Sequence, residues 1–147
     1  MNLLNINAMI LALECGAYSK NVDVEWADDL IRASDEPDER LFDVSTSKDV
    51  YAAISSLSKF GEYPDRAAVA KKAFQIFSIS LENKAVTFES IAEKIYHMAF
   101  AGDIPSEEAE GEMISYWDSL DIANDGIYGD PQEIKKELLS FIKTYGS

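Results

Sequence analysis

The chain has 147 residues, with 27 acidic against 13 basic side chains and a formal net charge of −14 at pH 7. Such a length supports one domain with its own apolar core, and the 47% hydrophobic share argues against intrinsic disorder. The deficit of cations argues against free-standing nucleic-acid binding and against adhesion to anionic membranes, since both need a basic surface.

The opening run from Leu3 to Tyr18 reads as an apolar helix. No basic residue precedes it and the first cation is Lys20, so it is expected to be a packed helix and not a secretory signal. No stretch approaches the roughly 20 apolar residues of a membrane span. A cytoplasmic location is the expectation. Asp23 is expected to cap a second helix, with Glu25 in its first turn and Trp26, Leu30 and Ile31 forming its apolar stripe to about Ser34. Pro37 pushes Glu36 out of the α region and ends that helix, leaving Leu41, Phe42 and Val44 as apolar anchors in an irregular acidic connection.

Ser45 or Ser47 is placed to cap the next helix, which carries Val50, Ile54, Leu57 and Phe60 on one side. After the Gly61–Pro64 break, Asp65 to Glu82 presents the wide apolar face of a central helix. Thr87 is placed to cap a helix burying Phe88, Ile91, Ile95 and Met98. Ser106 is placed to cap another, with Met113, Ile114, Trp117 and Leu120 inward. The last begins with Asp130 as cap, Pro131 in the first turn and Glu133 completing a capping-box-like pair; Ile134, Leu138, Leu139 and Ile142 form its stripe. With no sustained strand alternation, the pattern predicts an all-α single-domain bundle of six or seven helices in antiparallel hairpins.

The acids are clustered. Nine lie between Asp23 and Asp43 against only Arg32 and Arg40, and ten lie between Ile95 and Ile134 with no Lys or Arg. Glu107, Glu108 and Glu110 have a structural reason to be there, near a helix N-terminus. Asp35, Glu36, Asp38, Glu39 and Asp43 do not, nor do Asp118, Asp121 and Asp125. These eight are the candidate partner-binding residues. They would steer and accept hydrogen bonds from a cationic protein. Solvated surface is the competing account.

Familiar chemistry is harder to assemble. Cys15 is expected to be a buried reduced thiol, and His97, the single histidine, a packed or half-exposed imidazole. One His and one Cys do not make a zinc set. The segment Asp121–Gly126 has the start of a calcium loop, but Ala123 and Gln132 occupy positions that need oxygen ligands, and a helix connection explains it as well. Neither a glycine-rich phosphate loop nor a Gly-x-Ser-x-Gly elbow is present. The expectation is a binding protein without cofactor or metal, not an enzyme.

The most distinctive stretch is Trp26-Ala-Asp-Asp-Leu-Ile-Arg-Ala-Ser-Asp-Glu-Pro-Asp-Glu-Arg-Leu-Phe-Asp-Val-Ser45. A helix ending in Leu-Ile, then Asp-Glu-Pro, then Leu-Phe-Asp-Val-Ser, resembles small all-helical immunity proteins of bacterial polymorphic and contact-dependent inhibition toxin systems, and the similarity runs on to about Phe60. The resemblance implies a cytoplasmic antidote that binds the toxic C-terminal domain and blocks its active site. No direct nucleic-acid or membrane contact is expected, on the charge alone. The Asp35–Asp43 connection is the first candidate for the contact surface, with Phe42 and Tyr63 as candidate aromatic anchors, although core packing is the preferred role for both. A helical adaptor or regulatory subunit, acidic only for solubility, is the alternative.

Overall fold

In the computed structural model, which describes residues 2–147, eight α-helices and one 3-10 turn account for the regular structure. The helices are α1 (Leu3–Glu14), α2 (Lys20–Ala33), α3 (Arg40–Ser45), α4 (Val50–Ser58), α5 (Arg66–Glu82), α6 (Phe88–Phe100), α7 (Glu110–Asn124) and α8 (Pro131–Gly146). The 3-10 turn, Glu107–Ala109, leads into α7. The architecture is the all-α single domain that the patterning predicts, with one more helix than the upper expectation. Among the described residues, no helix is long and apolar enough to cross a membrane.

Two apolar cores share α1. Its Ala8, Leu11 and Ala12 pack into a large core with α5, α6, α7 and α8, centred on Phe74, Phe77, Ile91, Ile95 and Leu138. Its Ile6, Met9 and Leu13 pack into a smaller core with Ala27, Leu41, Val44 and Leu57 from α2, α3 and α4. A helix that must bury two opposite faces has to be apolar nearly all round, as α1 is. Short connections make hairpins of α6 with α7 and of α7 with α8. Other neighbours are distant in sequence: α1 lies on α5 and α4, and α5 lies on α8.

The cores are tied together by a half-buried polar knot around Asn7 and Asp103. The Asn7 side chain donates to the carbonyls of Leu3 (3.1 Å) and Gly61 (3.0 Å), and its Oδ1 accepts from Tyr63 N (3.1 Å) and Arg66 Nη1 (2.8 Å). Arg66 Nε in turn donates to Asp103 Oδ1 at 2.8 Å. These residues come from α1, the α4–α5 connection, α5 and the α6–α7 connection, so one group of hydrogen bonds ties distant segments. Each buried group in it has a partner, which burial requires.

Helix ends follow the sequence closely in some places and depart in others. Thr87 and Asp130 cap α6 and α8 as expected, their side chains accepting from Ser90 N and Gln132 N, and Asp65, the expected start of the central helix, caps α5 by accepting from Ala68 N. Glu133 does not close a capping box in this arrangement; its carboxylate lies 3.7 Å from Lys136. α1 stops at Glu14, short of Tyr18, because Gly16 takes the left-handed conformation (φ 82°) and Tyr18 N bonds back to Ala12 O. The cap of α4 is Asp49, two residues beyond Ser47, whose hydroxyl bonds Asp43 O at the end of α3. Ser106 does not cap either. Its hydroxyl is buried without a partner, and the chain enters α7 through the 3-10 turn.

Two further departures matter more. The segment expected to be irregular contains α3, because Leu41 and Val44 are three residues apart and both bury against α2 and α4. α2 begins at Lys20, one turn before Asp23, so Asp23 is a fully buried member of its first turn and not an exposed cap. Lys20 holds that early start by donating to the carbonyls of Ser47 (3.4 Å) and Lys48 (3.0 Å) across the α3–α4 connection.

Candidate partner-binding surface

The first acidic segment joins α2 to α3. Its backbone is set by Ser34, whose Oγ accepts from Glu36 N at 3.3 Å. Asp35, Glu36, Glu39 and Asp43 are exposed there. Asp38 has a different position: half-buried, it accepts from Arg40 Nε (3.0 Å), Arg40 Nη2 (2.7 Å) and Arg40 N (3.0 Å). These bonds to a cation favour the ionised form and hold the Asp38 carboxyl down to about 2. The Arg40 guanidinium also lies 4.3 Å from the Phe60 ring centroid. Asp38 therefore organises the connection, leaving its four neighbours to face solvent. Phe42, expected to pack inside, is 47% exposed, because the inward positions of the six-residue α3 are taken by Leu41 and Val44. Tyr63 packs on the large core, and its amide serves the Asn7 knot.

The second segment lies on α7. Asp118 and Asp121 are exposed on the helix and Asp125 is its C-cap. Asp121 to Asn124 form the last helical turn, so the stretch with the start of a calcium loop is a helix end. Gly126 (φ 74°) closes that end, with Ile127 N bonding Ile122 O at 3.1 Å. The following loop lifts Ile127 and Tyr128 into solvent.

α7 forms a ridge between two clefts. A cavity of about 660 Å³ on the α6 side is lined by Tyr96, Ile114, Trp117, Asp118 and Asp121. One of about 500 Å³ on the α8 side is lined by Tyr116, Tyr128 and four carboxylates: Glu112, Asp130, Glu133 and Glu137. Ser115 and Ser119 border both clefts, and no Lys or Arg lines either. Ile114 and Trp117, expected inward, are half-buried edge residues, because Met113, Tyr116 and Leu120 take the core-facing positions of α7.

Beside the first cleft, four rings form one connected group, with Tyr96 touching the other three. Tyr96 lies 4.9 Å from Phe100, 5.0 Å from Trp117 and 5.4 Å from His97, and His97 lies 5.6 Å from Trp117, as centroid distances. Phe100 is 67% exposed. The sequence reading missed this group although it held the signal: Tyr96 and Phe100 are spaced i, i+4 on α6, out of phase with the buried Ile91, Ile95 and Met98. Two apolar stripes on one helix, one aliphatic and one aromatic, cannot both face the same core.

The internal ion pairs explain why α7 is left negative. Lys94 pairs with Glu14 (2.9 Å), Lys143 with Glu82 (2.9 Å) and Lys135 with Glu89 (3.7 Å), so nearby cations are engaged elsewhere. Among the described residues, Asp118, Asp121 and Asp125 take part in no ion pair. The two acidic segments belong to different groups of helices, α3 packing on α2 and α4 while α7 packs on α6 and α8. Cys15 is half-buried, and burial pushes its thiol up, away from the reactive thiolate. His97 is exposed, 3.9 Å from Glu93. Aromatic faces beside free carboxylates make a surface suited to receiving cations. No protein-family model, no curated protein and no solved structure matches this chain.

Proposed function

We propose that this protein is a toxin-neutralising immunity protein, binding a cognate cationic toxin domain through an acidic surface and blocking its active site. The observation that carries the reading is the α7 ridge, where two clefts lined with carboxylates and aromatic rings have no Lys or Arg in their walls and Lys136 reaches only Glu133, at 3.7 Å. Unpaired carboxylates on one surface repel one another, so the arrangement costs stability that a cationic partner would restore. A nuclease toxin offers such a partner, because its substrate cleft is built to receive phosphates. Acidic side chains occupying that cleft would exclude the nucleic acid and speed the encounter. The resemblance of Trp26–Ser45 to immunity proteins supports the same reading independently of charge. On this reading the protein acts in the cytoplasm, where a nuclease toxin would reach its substrate, and has no catalytic residues of its own.

The test is co-purification with a toxin-like C-terminal domain encoded immediately upstream of the gene. A tight complex that weakens as salt rises and silences the toxin is the expected result. A domain that stays unbound and fully active in the presence of this protein would overturn the proposal.

A further inference from the structure

Four contacting rings beside an open cleft are not the singly scattered surface aromatics of an ordinary monomer. Tyr96, His97, Phe100 and Trp117 form one continuous group across α6 and α7, and Asp118 and Asp121 stand at its edge without an ion pair. Ring faces and carboxylates together match one side chain better than any other. A guanidinium stacks its plane on an aromatic ring while its edge donates in parallel to a carboxylate; an ammonium lacks both the plane and the fork. The fold already uses the first half of this geometry once, in Arg40 over Phe60. Charge excludes the other occupants of such a face. A second copy would bring another net charge of −14 against uncompensated acids, and an anionic membrane or nucleic acid would be repelled likewise.

We infer that the Tyr96–Phe100–Trp117 cluster with Asp118 and Asp121 is the docking centre for an arginine side chain presented by a basic protein partner. The inference rests on the reading of the chain as a binder of a cationic protein and names the group that it receives. It moves the centre of the contact from the α2–α3 connection, the first candidate in the sequence, to α7. There the rings form a partly desolvated anchor of the kind that dominates interface energetics, whereas exposed acids such as Asp35 and Glu39 act chiefly on encounter.

Trp117 supplies the probe. The chain has two tryptophans, and Trp26 packs half-buried against the smaller core, so the Trp26→Phe variant leaves Trp117 as the sole tryptophan, excited selectively over the tyrosines at about 295 nm. Titration of this variant with an oligoarginine peptide should change Trp117 emission saturably. An oligolysine peptide of equal length should bind about tenfold more weakly. Adding Phe100→Ala, or Asp118→Asn with Asp121→Asn, should weaken the arginine peptide by about tenfold, while Asp35→Asn with Glu39→Asn should have little effect at physiological salt. Circular dichroism should show each variant folded, since Phe100, Asp118, Asp121, Asp35 and Glu39 are exposed and Trp26→Phe keeps an aromatic ring against the smaller core. Equal affinity for the two peptides, or equal losses from the α7 and α2–α3 variants, would reduce the binding to diffuse attraction and overturn the inference. It fails separately from the function: a cognate toxin captured at wild-type affinity by the Asp118→Asn, Asp121→Asn protein would remove the docking centre and leave the antidote reading in place.

Discussion

Replacing Asp23 with asparagine should make the protein more stable, by an amount that grows with pH. Asp23 is fully buried in the first turn of α2, and neither of its carboxylate oxygens has a hydrogen-bond partner. The nearby cation Lys20 is directed to the carbonyls of Ser47 and Lys48. Burial, offset only in part by the residue's own backbone amide, pushes the Asp23 carboxyl up to about 7. The unfolded chain releases that proton near pH 4, so between about 4 and about 7 the native state holds a proton that the unfolded state has lost. Stability contributed by the neutral group is therefore intact below about pH 4, declines through this interval and stays low above about pH 7. The full loss is about 4 kcal/mol, a sizeable part of a typical folding free energy. Asparagine cannot ionise, and any cost of its unpaired amide is the same at every pH. Urea unfolding of both proteins, followed by fluorescence at about pH 5 and about pH 8, isolates the effect, because all other titrations are common to both. The advantage of the variant at the higher pH should exceed that at the lower by about 3 kcal/mol. A difference constant to within about 0.5 kcal/mol would mean that Asp23 is ionised with a partner in solution, and the reasoning from burial would fail.

Other predictions concern the backbone, the polar knot and encounter. Lys84 ends α5 with φ 57°, where α6 and α7 use Gly102 and Gly126, so Lys84→Gly should stabilise by about 1 kcal/mol in the same urea assay. Destabilisation there would refute the strain. Gly111 sits in the first turn of α7 with open space where a Cβ would project, so Gly111→Ala should raise stability by about 0.5 kcal/mol or more, and a loss would show an unrecognised contact. Arg66→Ala leaves Asp103 and Asn7 Oδ1 without their guanidinium partner and should cost about 3 kcal/mol; a cost below about 1 kcal/mol would show that water replaces the knot without penalty. Asp35→Lys with Glu39→Lys should slow association with a basic toxin domain about tenfold at low salt, and an unchanged rate at all ionic strengths would remove the α2–α3 connection as a steering surface.

The sequence by itself determined the all-α class, most of the helices and several of their starts, because these depend on local physics. A carboxylate or hydroxyl at Asp65, Thr87 or Asp130 reaches the amide two or three residues on whatever else the chain does. The absence of Lys and Arg from Ile95 to Ile134 was equally plain. Whatever depended on the other side of the interface was decided by tertiary structure. α3 is too short to stand alone and exists because Leu41 and Val44 find α2 and α4. Asp23 has every local mark of a cap, yet the bonds from Lys20 to the α3–α4 connection start the helix a turn earlier and turn it inward. On α6 and α7, periodicity identified the apolar residues without saying which would reach the core. The core has room for Ile95, Met98, Met113 and Leu120, and leaves Tyr96, Phe100 and Trp117 at the rim beside the unpaired acids. Local rules choose the helices. Competition for a finite interior chooses which side chains remain outside to meet a partner.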